Sequence, residues 1–376
     1  MLRPSLGPLG IGVFAAALAL ALQWAKVELH YGGNWSALFY TGDAVALSPA
    51  VARENPYRFA HSSGFDGQFY HAIAHDPWMR DGSRDFTDNA RLRWRRILVP
   101  ALAWALALGR GQAIDAAYAA VILGFVFLGA WWTAAWCRRF GWHSAFGLGF
   151  LAVPAVAVSL ERYTVDAALA ALCAGFALRA PERIGPATFA ILALAPLARE
   201  TGLALIAAAF LVAVSRRDAR SAALAASASV PCLLWIGWVH ARTAPADAAF
   251  ASAIPFEGLW NRTWQPLQFH LGSHWLALAA AFDYAGVAGI WIALGLALLA
   301  VRRHSTLADP LLVFSGTFVA FLVQPQAWDG VYTFGRTMSP LLIWTAMTGL
   351  GERSWLHLVP LASTAPRLLL QVASPG

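Results

Sequence analysis

Residues 97–109 read ILVPALAWALALG. Whether this run crosses a membrane decides the fold, because it sets the side on which everything downstream lies. A crossing needs roughly 20 apolar residues. Thirteen residues rising about 1.5 Å each reach only about 20 Å, against a hydrocarbon core of about 30 Å. The run is therefore expected to be an interfacial or re-entrant helix and not a span.

The surrounding chain makes the membrane question unavoidable. It has 376 residues, 59% hydrophobic and 12% charged, with mean hydropathy +0.56. Soluble domains carry about 25% charged residues, and lipid-facing positions cannot solvate charge. An all-α polytopic membrane protein follows. The 18 Trp and 22 Phe suit headgroup-level anchors as well as core packing. The net charge of +7 is no nucleic-acid signal, since the Arg falls in short clusters between apolar segments. Cys137, Cys173 and Cys232 form no CxxC pair, so neither a metal nor a disulfide framework is implied.

Ten spans are expected: residues 8–26, 113–136, 145–160, 163–179, 184–198, 201–214, 221–240, 280–301, 308–324 and 337–350. Residues 354–370 either lie at the interface or add an eleventh. The first span could instead be a signal peptide, but ALQWAKVE is a weak cleavage site. The whole chain reads as one integral membrane domain. A large outer loop over 27–112 carries interfacial helices, a helical bundle covers 113–240, and further spans with outer loops cover 241–376.

The arginines orient this arrangement. With the N-terminus inside and 97–109 not spanning, the inner side receives Arg138, Arg139, Arg179, Arg183, Arg216, Arg217, Arg220, Arg302, Arg303 and Arg353. The short outer turns keep only Arg162, Arg199 and Arg336. This is the asymmetry of the positive-inside rule. A rival topology puts the N-terminus outside and residues 27–96 in the cytoplasm, and RLRWRRI before residue 98 favours it. Against the rival stands the balanced charge of that loop, with eight Arg and eight Asp or Glu.

Polar and acidic groups converge on the outer side. There lie GFDGQFYHAIAHDP (64–77), SLERYTVDA (159–167), PLARETG (196–202), PQAWDGVYTFGR (325–336) and the broad loop 241–274. Asp66 is either a helix N-cap or a general base at the membrane surface, its pKa tuned by partial burial. His71 and His75, four apart, share a helix face. With Asp76 they can bind a divalent cation, the only cofactor the residues suggest. The alternatives are interfacial placement or contact with a phosphate. Glu161 and Arg162 can be a simple ion pair at a helix end. Asp166 falls inside a span, where an ionisable group is a functional candidate by default. Arg199 and Glu200 follow Pro196, which helps to end the preceding helix. Arg162, Arg199 and Arg336 are sparse cations on a face that disfavours them. They suit an anion such as a lipid phosphate, which a guanidinium grips bidentately.

Three stretches in order carry a family resemblance: FDGQFYHAIAHDP, RWRRILVP and RETGL. They resemble a bacterial branch of the GT-C class of membrane glycosyltransferases, whose corresponding strings run YDGQFYY-x-x-A-x-DP, RYRRILYP and RETGL. Phe65, His71, Trp94 and Val99 depart from that pattern, and the resemblance covers residues 60–205. It implies a first helix, a large outer loop with an essential acidic residue, and a bundle of spans. It also implies a polyprenyl-phosphate sugar donor and transfer on the periplasmic face of the inner membrane. Asp66 matches the essential acidic position, and Asp166 or Glu161 stands where the class often has a second.

The expected function is transfer of a sugar from a polyprenyl-phosphate donor to a cell-envelope acceptor. Asp66, Asp166 and Glu161 are the candidate catalytic residues. Gln68, Tyr70, His71, Arg96, Arg162, Arg199, Glu200 and Arg336 are the candidate substrate contacts. Donor and membrane lipid are the expected partners, with no nucleic acid. No GxGxxG opens a helix and no Walker pattern appears, which argues against a nucleotide-sugar donor. The alternatives are a polysaccharide ligase or polymerase, a lipid-linked sugar flippase, and a non-catalytic assembly subunit.

Overall fold

The computed structural model describes residues 6–179, 184–245, 252–265 and 273–373. It is 75% helical with almost no sheet. Four helices are long and apolar enough to cross a membrane alone: Pro8–Tyr31, Gly111–Arg139, Ala219–His240 and His274–Arg302. Ser144–Ala152 and Pro154–Arg162, bent by 61°, together make a fifth. The protein is therefore an all-α membrane protein. The other expected spans are also helical but shorter, among them Asp166–Arg179, Pro186–Ala198, Leu203–Ser215 and Arg336–Glu352.

Two of them, Asp166–Arg179 and Arg336–Glu352, form the middle of the bundle. Every residue from Asp166 to Ala177 is buried. A helix enclosed on all sides has to be apolar all round, and small residues let its neighbours approach. Indole N–H groups then satisfy main-chain carbonyls between helices. Trp344 donates to the carbonyl of Cys173 at 3.2 Å, and Trp136 to that of Met347 at 2.8 Å. All three cysteines are free and buried.

Residues 97–109 contain a nine-residue helix, Leu98–Leu106. Just before it, Arg96 grips Glu200. Just after it, Gly111 packs against His75 and Glu54. Both ends thus lie beside the Asp66–His75 helix, and at nine residues the helix is shorter than a span. Residues 354–370 break into the short turns Trp355–Leu358 and Val359–Ala362 and the helix Ala365–Ala373, so they make no single crossing.

Charge segregates to the two ends of the bundle. At one end Arg139 donates to the carbonyl of Leu178, Arg303 pairs with Glu352 at 3.7 Å, and Arg179, Arg216 and His304 line a shared cavity. Arg183 lies outside the described residues, as do 246–251 and 266–272 of the broad outer loop. The other end holds the acidic residues of the long loop.

Candidate functional site

The loop is locked before any side chain can be aimed. A two-residue parallel pairing joins Thr41–Gly42 to Arg58–Phe59. Gln68 then accepts from the Gly42 N–H at 3.2 Å and donates to the Ser63 carbonyl at 2.8 Å. Gly67 explains the motif's middle residue. A Cβ there would fall 2.2 Å from the carbonyl oxygen of Arg162 and 2.7 Å from that of Phe39. Only glycine lets these backbones meet. Asp66 is consequently fixed as the first residue of Asp66–His75, one turn of chain from its anchor.

Asp66 is not a cap. Phe65 occupies the cap position and no side-chain capping bond forms. Its carboxylate instead meets Arg336 at 2.6 Å and Arg93 at 3.0 Å. Burial pushes its pKa up, but Arg336 and then Arg93 outweigh that. The carboxyl lies well below the usual carboxylate range.

Arg93 and Arg96 come from RWRRI. Asn89 caps the short helix Ala90–Arg95 by accepting from the Leu92 N–H at 2.9 Å. The fully buried Trp94 anchors it by donating to the Pro77 carbonyl at 3.2 Å. Arg93 bridges two carboxylates, Asp66 and Asp88, the latter bidentately at 2.9 and 2.7 Å. Burial lowers its pKa and the two carboxylates more than reverse that. Arg96 grips Glu200 at 2.9 and 2.6 Å and reaches the Tyr70 hydroxyl at 3.3 Å. Burial raises the Glu200 carboxyl and Arg96 overrides it, leaving it at about 2.

RETGL closes the opposite wall. A Cβ at Gly202 would come 2.3 Å from the main-chain carbon of Ala195, so the turn after Pro196 needs glycine. The turn projects Arg199 onto Asp166, the first residue of its helix, and onto the Thr337 hydroxyl at 2.9 Å. Arg336 completes the link, 3.5 Å from Asp166. Asp66 and Asp166 thus share one guanidinium.

These groups surround a cavity of about 650 Å³. Its charged lining is Asp66, Asp88, Arg93, Arg95, Arg96, Arg199, Glu200 and Arg336, five arginines against three carboxylates. Counting Asp166 behind the lining leaves an excess of one positive charge. Arg95 makes no ion pair among the described residues, and its Nε makes no hydrogen bond. The uncharged lining is mixed: Phe318, Phe321 and Leu322 form an apolar patch, and Asn89, Thr317, Gln324, Gln326, Thr333 and Thr337 add polar groups.

The expected site residues thus divide. Asp66, Asp166, Tyr70, Arg96, Arg199, Glu200 and Arg336 come together around this cavity. Glu161 does not line it: its carboxylate is held by Lys26 and the Tyr332 hydroxyl. Arg162 does not line it either. Its guanidinium lies 4.1 Å from the ring centre of Tyr40 and 4.6 Å from those of Phe65 and Tyr332. Gln68 is a loop tie. His71 faces away, stacked on Phe39 and beside Glu54 and Asp115. Asp76 is no partner of the histidines, because its oxygens accept from the N–H groups of Arg80 and Asp81 at 2.7 and 2.9 Å.

Arg93 is the cavity residue the sequence reading passed over, though RWRRI contained it. Asp88 and Arg95 were missed too, each a short step from residues already singled out. Comparison with family models, curated proteins and solved structures returns no match, so the functional reading stands on the site itself.

Proposed function

We propose that the protein is a membrane glycosyltransferase of the GT-C kind. It would transfer a sugar from a polyprenyl-phosphate donor on the periplasmic face of a bacterial plasma membrane. The observation that carries this reading is the cavity's composition. An excess of guanidinium shares the cavity with the apolar patch of Phe318, Phe321 and Leu322, in a fold with membrane-spanning helices. That combination suits a ligand with an anionic head and a hydrocarbon tail.

The salt-bridged Asp66 has a chemical consequence. Held by Arg336 and Arg93, it is a poor base. A donor phosphate competes for the same guanidinium groups and frees the carboxylate as it binds. The acceptor oxygen then bonds to the anomeric carbon as the bond from that carbon to the phosphate oxygen breaks. The electron pair leaves with the phosphate, stabilised by arginine, and the hydroxyl proton passes to Asp66. Asp166 keeps Arg199 and Arg336 in place and does not itself take the proton.

The test is purified protein in lipid nanodiscs given radiolabelled polyprenyl-phosphate hexose and a cell-envelope extract as acceptor. Label should pass to the acceptor and free polyprenyl phosphate should accumulate. Bound donor that is neither consumed nor transferred with any envelope fraction would favour a flippase or assembly subunit. Transfer only from diphosphate-linked donors would favour a polymerase or ligase.

A further inference from the structure

A second cluster lies on the other side of the Asp66–His75 helix. Three parts of the chain build it. Glu54 follows the short helix Pro49–Ala52, His71 and His75 stand one turn apart, and Asp115 lies in the first turn of Ile114–Arg139. His71 Nε2 lies 2.9 Å from Asp115 Oδ1 and 3.2 Å from Glu54 Oε2. His75 Nε2 lies 3.2 Å from the same Glu54 oxygen and 3.4 Å from His71 Nε2. The fully buried His71 ring is fixed by Phe39, stacked at 3.8 Å between ring centres.

With both carboxylates ionised, protons leave this arrangement strained. Each imidazole Nε2 carries at most one N–H. If His71 donates to Asp115 and His75 to Glu54, two N–H groups face each other across 3.4 Å. Glu54 Oε2 and Asp115 Oδ1 are buried and neither completes a hydrogen bond of good geometry. A cation reverses the problem, because every lone pair then points to one centre. Metal–ligand bonds of about 2.0–2.1 Å in a tetrahedron put neighbouring donors about 3.3 Å apart. The three separations among Glu54 Oε2, His71 Nε2 and His75 Nε2, 3.2, 3.2 and 3.4 Å, match that spacing.

We propose that Glu54, His71 and His75, with Asp115 beside His71 as the group best placed to complete the shell, form a site for a divalent transition-metal ion of the zinc type. Two imidazoles and two carboxylates suit that class over calcium or magnesium, which prefer all-oxygen shells. None of the four residues lines the arginine-rich cavity, so the ion is structural. It clamps the helix that begins with Asp66 to the start of Ile114–Arg139 and to the preceding loop. Glu54 and Asp115 are partly exposed, which leaves a path for the ion. The inference does not depend on the donor chemistry proposed above.

The experiment uses the full chain, purified in detergent, tag removed and stripped with chelator. Zinc uptake is measured by equilibrium dialysis, and thermal melting is followed with and without zinc. Wild type should take up one equivalent and melt higher with zinc, and cobalt(II) should give the intense visible bands of a tetrahedral site. Glu54→Gln and His75→Gln are the informative variants, since His71 is packed into the core. Each should weaken zinc binding at least ten-fold, since even outer-shell changes have effects of about that size. The zinc-dependent rise in Tm should disappear in both. Folded wild type taking up less than a tenth of an equivalent would overturn the site. Equal zinc affinity in wild type and both variants would overturn it as well.

Discussion

Asp66 and Arg336 meet at 2.6 Å, the first residue of one helix paired with the first residue of another far along the chain. Arg336 also faces Asp166 at 3.5 Å, and Arg199 holds Asp166 from the other side. One guanidinium therefore couples the long loop to the bundle interior. This coupling decides which substitutions test chemistry and which merely unfold the protein.

Arg199→Ala belongs to the second kind. It leaves Asp166, which is almost completely buried, with one distant partner. Breaking a buried pair by removing one member costs about 3–5 kcal/mol. Arg199→Ala should lower Tm sharply. Adding Asp166→Ala should recover part of the loss, because the stranded charge goes with it. Additive effects of the two changes in thermal melts would show that the residues are not coupled.

Gly67→Ala should also destabilise. The new methyl would press on two backbone carbonyls, which cannot rotate away as a side chain would, and such overpacking costs about 1–3 kcal/mol. Gly124→Ala is the control. Nothing lies within 4 Å of its Cβ position, so it should be neutral or stabilising by up to about 1 kcal/mol. Equal melting temperatures for the two variants would refute the close approach at Gly67.

Acid should loosen the Arg96–Glu200 wall. The Glu200 carboxyl lies at about 2 in the fold against an ordinary 4.5. A depressed pKa gives stability that is fully present above about pH 4.5 and is lost as pH falls through about 2. Glu200→Gln should melt lower at pH 7 and lose less than wild type between pH 4.5 and 2. Parallel pH profiles would remove Glu200 from the linkage.

How much of this was legible in the sequence differs from residue to residue. That 97–109 is too short for a full span followed from length alone, and the helix there, Leu98–Leu106, has nine residues. The grouping of Arg139, Arg179, Arg216 and Arg303 at one end could be read because the arginine clusters recur with a period of whole spans. Gly67 and Gly202 stood in motifs, but their reason is a contact with Arg162, Phe39 and Ala195 that no local pattern encodes. Arg162 and Glu161 were misplaced for the same reason. A turn places both residues near the site, and only packing turns Arg162 into an aromatic box and Glu161 toward Lys26. The two histidines were correctly paired by their spacing, but their acidic neighbours Glu54 and Asp115 come from distant segments.

The sidedness of the bundle is open to direct chemistry. Ser63 and Ala219 are both exposed and lie toward opposite ends. Single cysteines at these positions, with Cys137, Cys173 and Cys232 replaced, should label oppositely with an impermeant reagent applied to spheroplasts. Ser63 should react from outside and Ala219 should be protected. The reverse pattern would put the arginine-rich cavity in the cytoplasm and remove a periplasmic transfer.

The most direct test is turnover by Asp66→Asn at matched amounts of folded protein, with labelled polyprenyl-phosphate sugar as donor. Asn keeps the size and removes the charge and the basic lone pair. Its amide oxygen still offers Arg336 an acceptor, and Arg93 keeps Asp88. The variant should insert and extract like wild type, while transfer falls by about 10²–10⁴, the usual cost of losing a general base. Glu161→Gln, outside the cavity lining, should stay within a few-fold of wild type. Transfer by Asp66→Asn within a few-fold of wild type would contradict a role for Asp66 as the base and leave it a purely structural anion between Arg93 and Arg336.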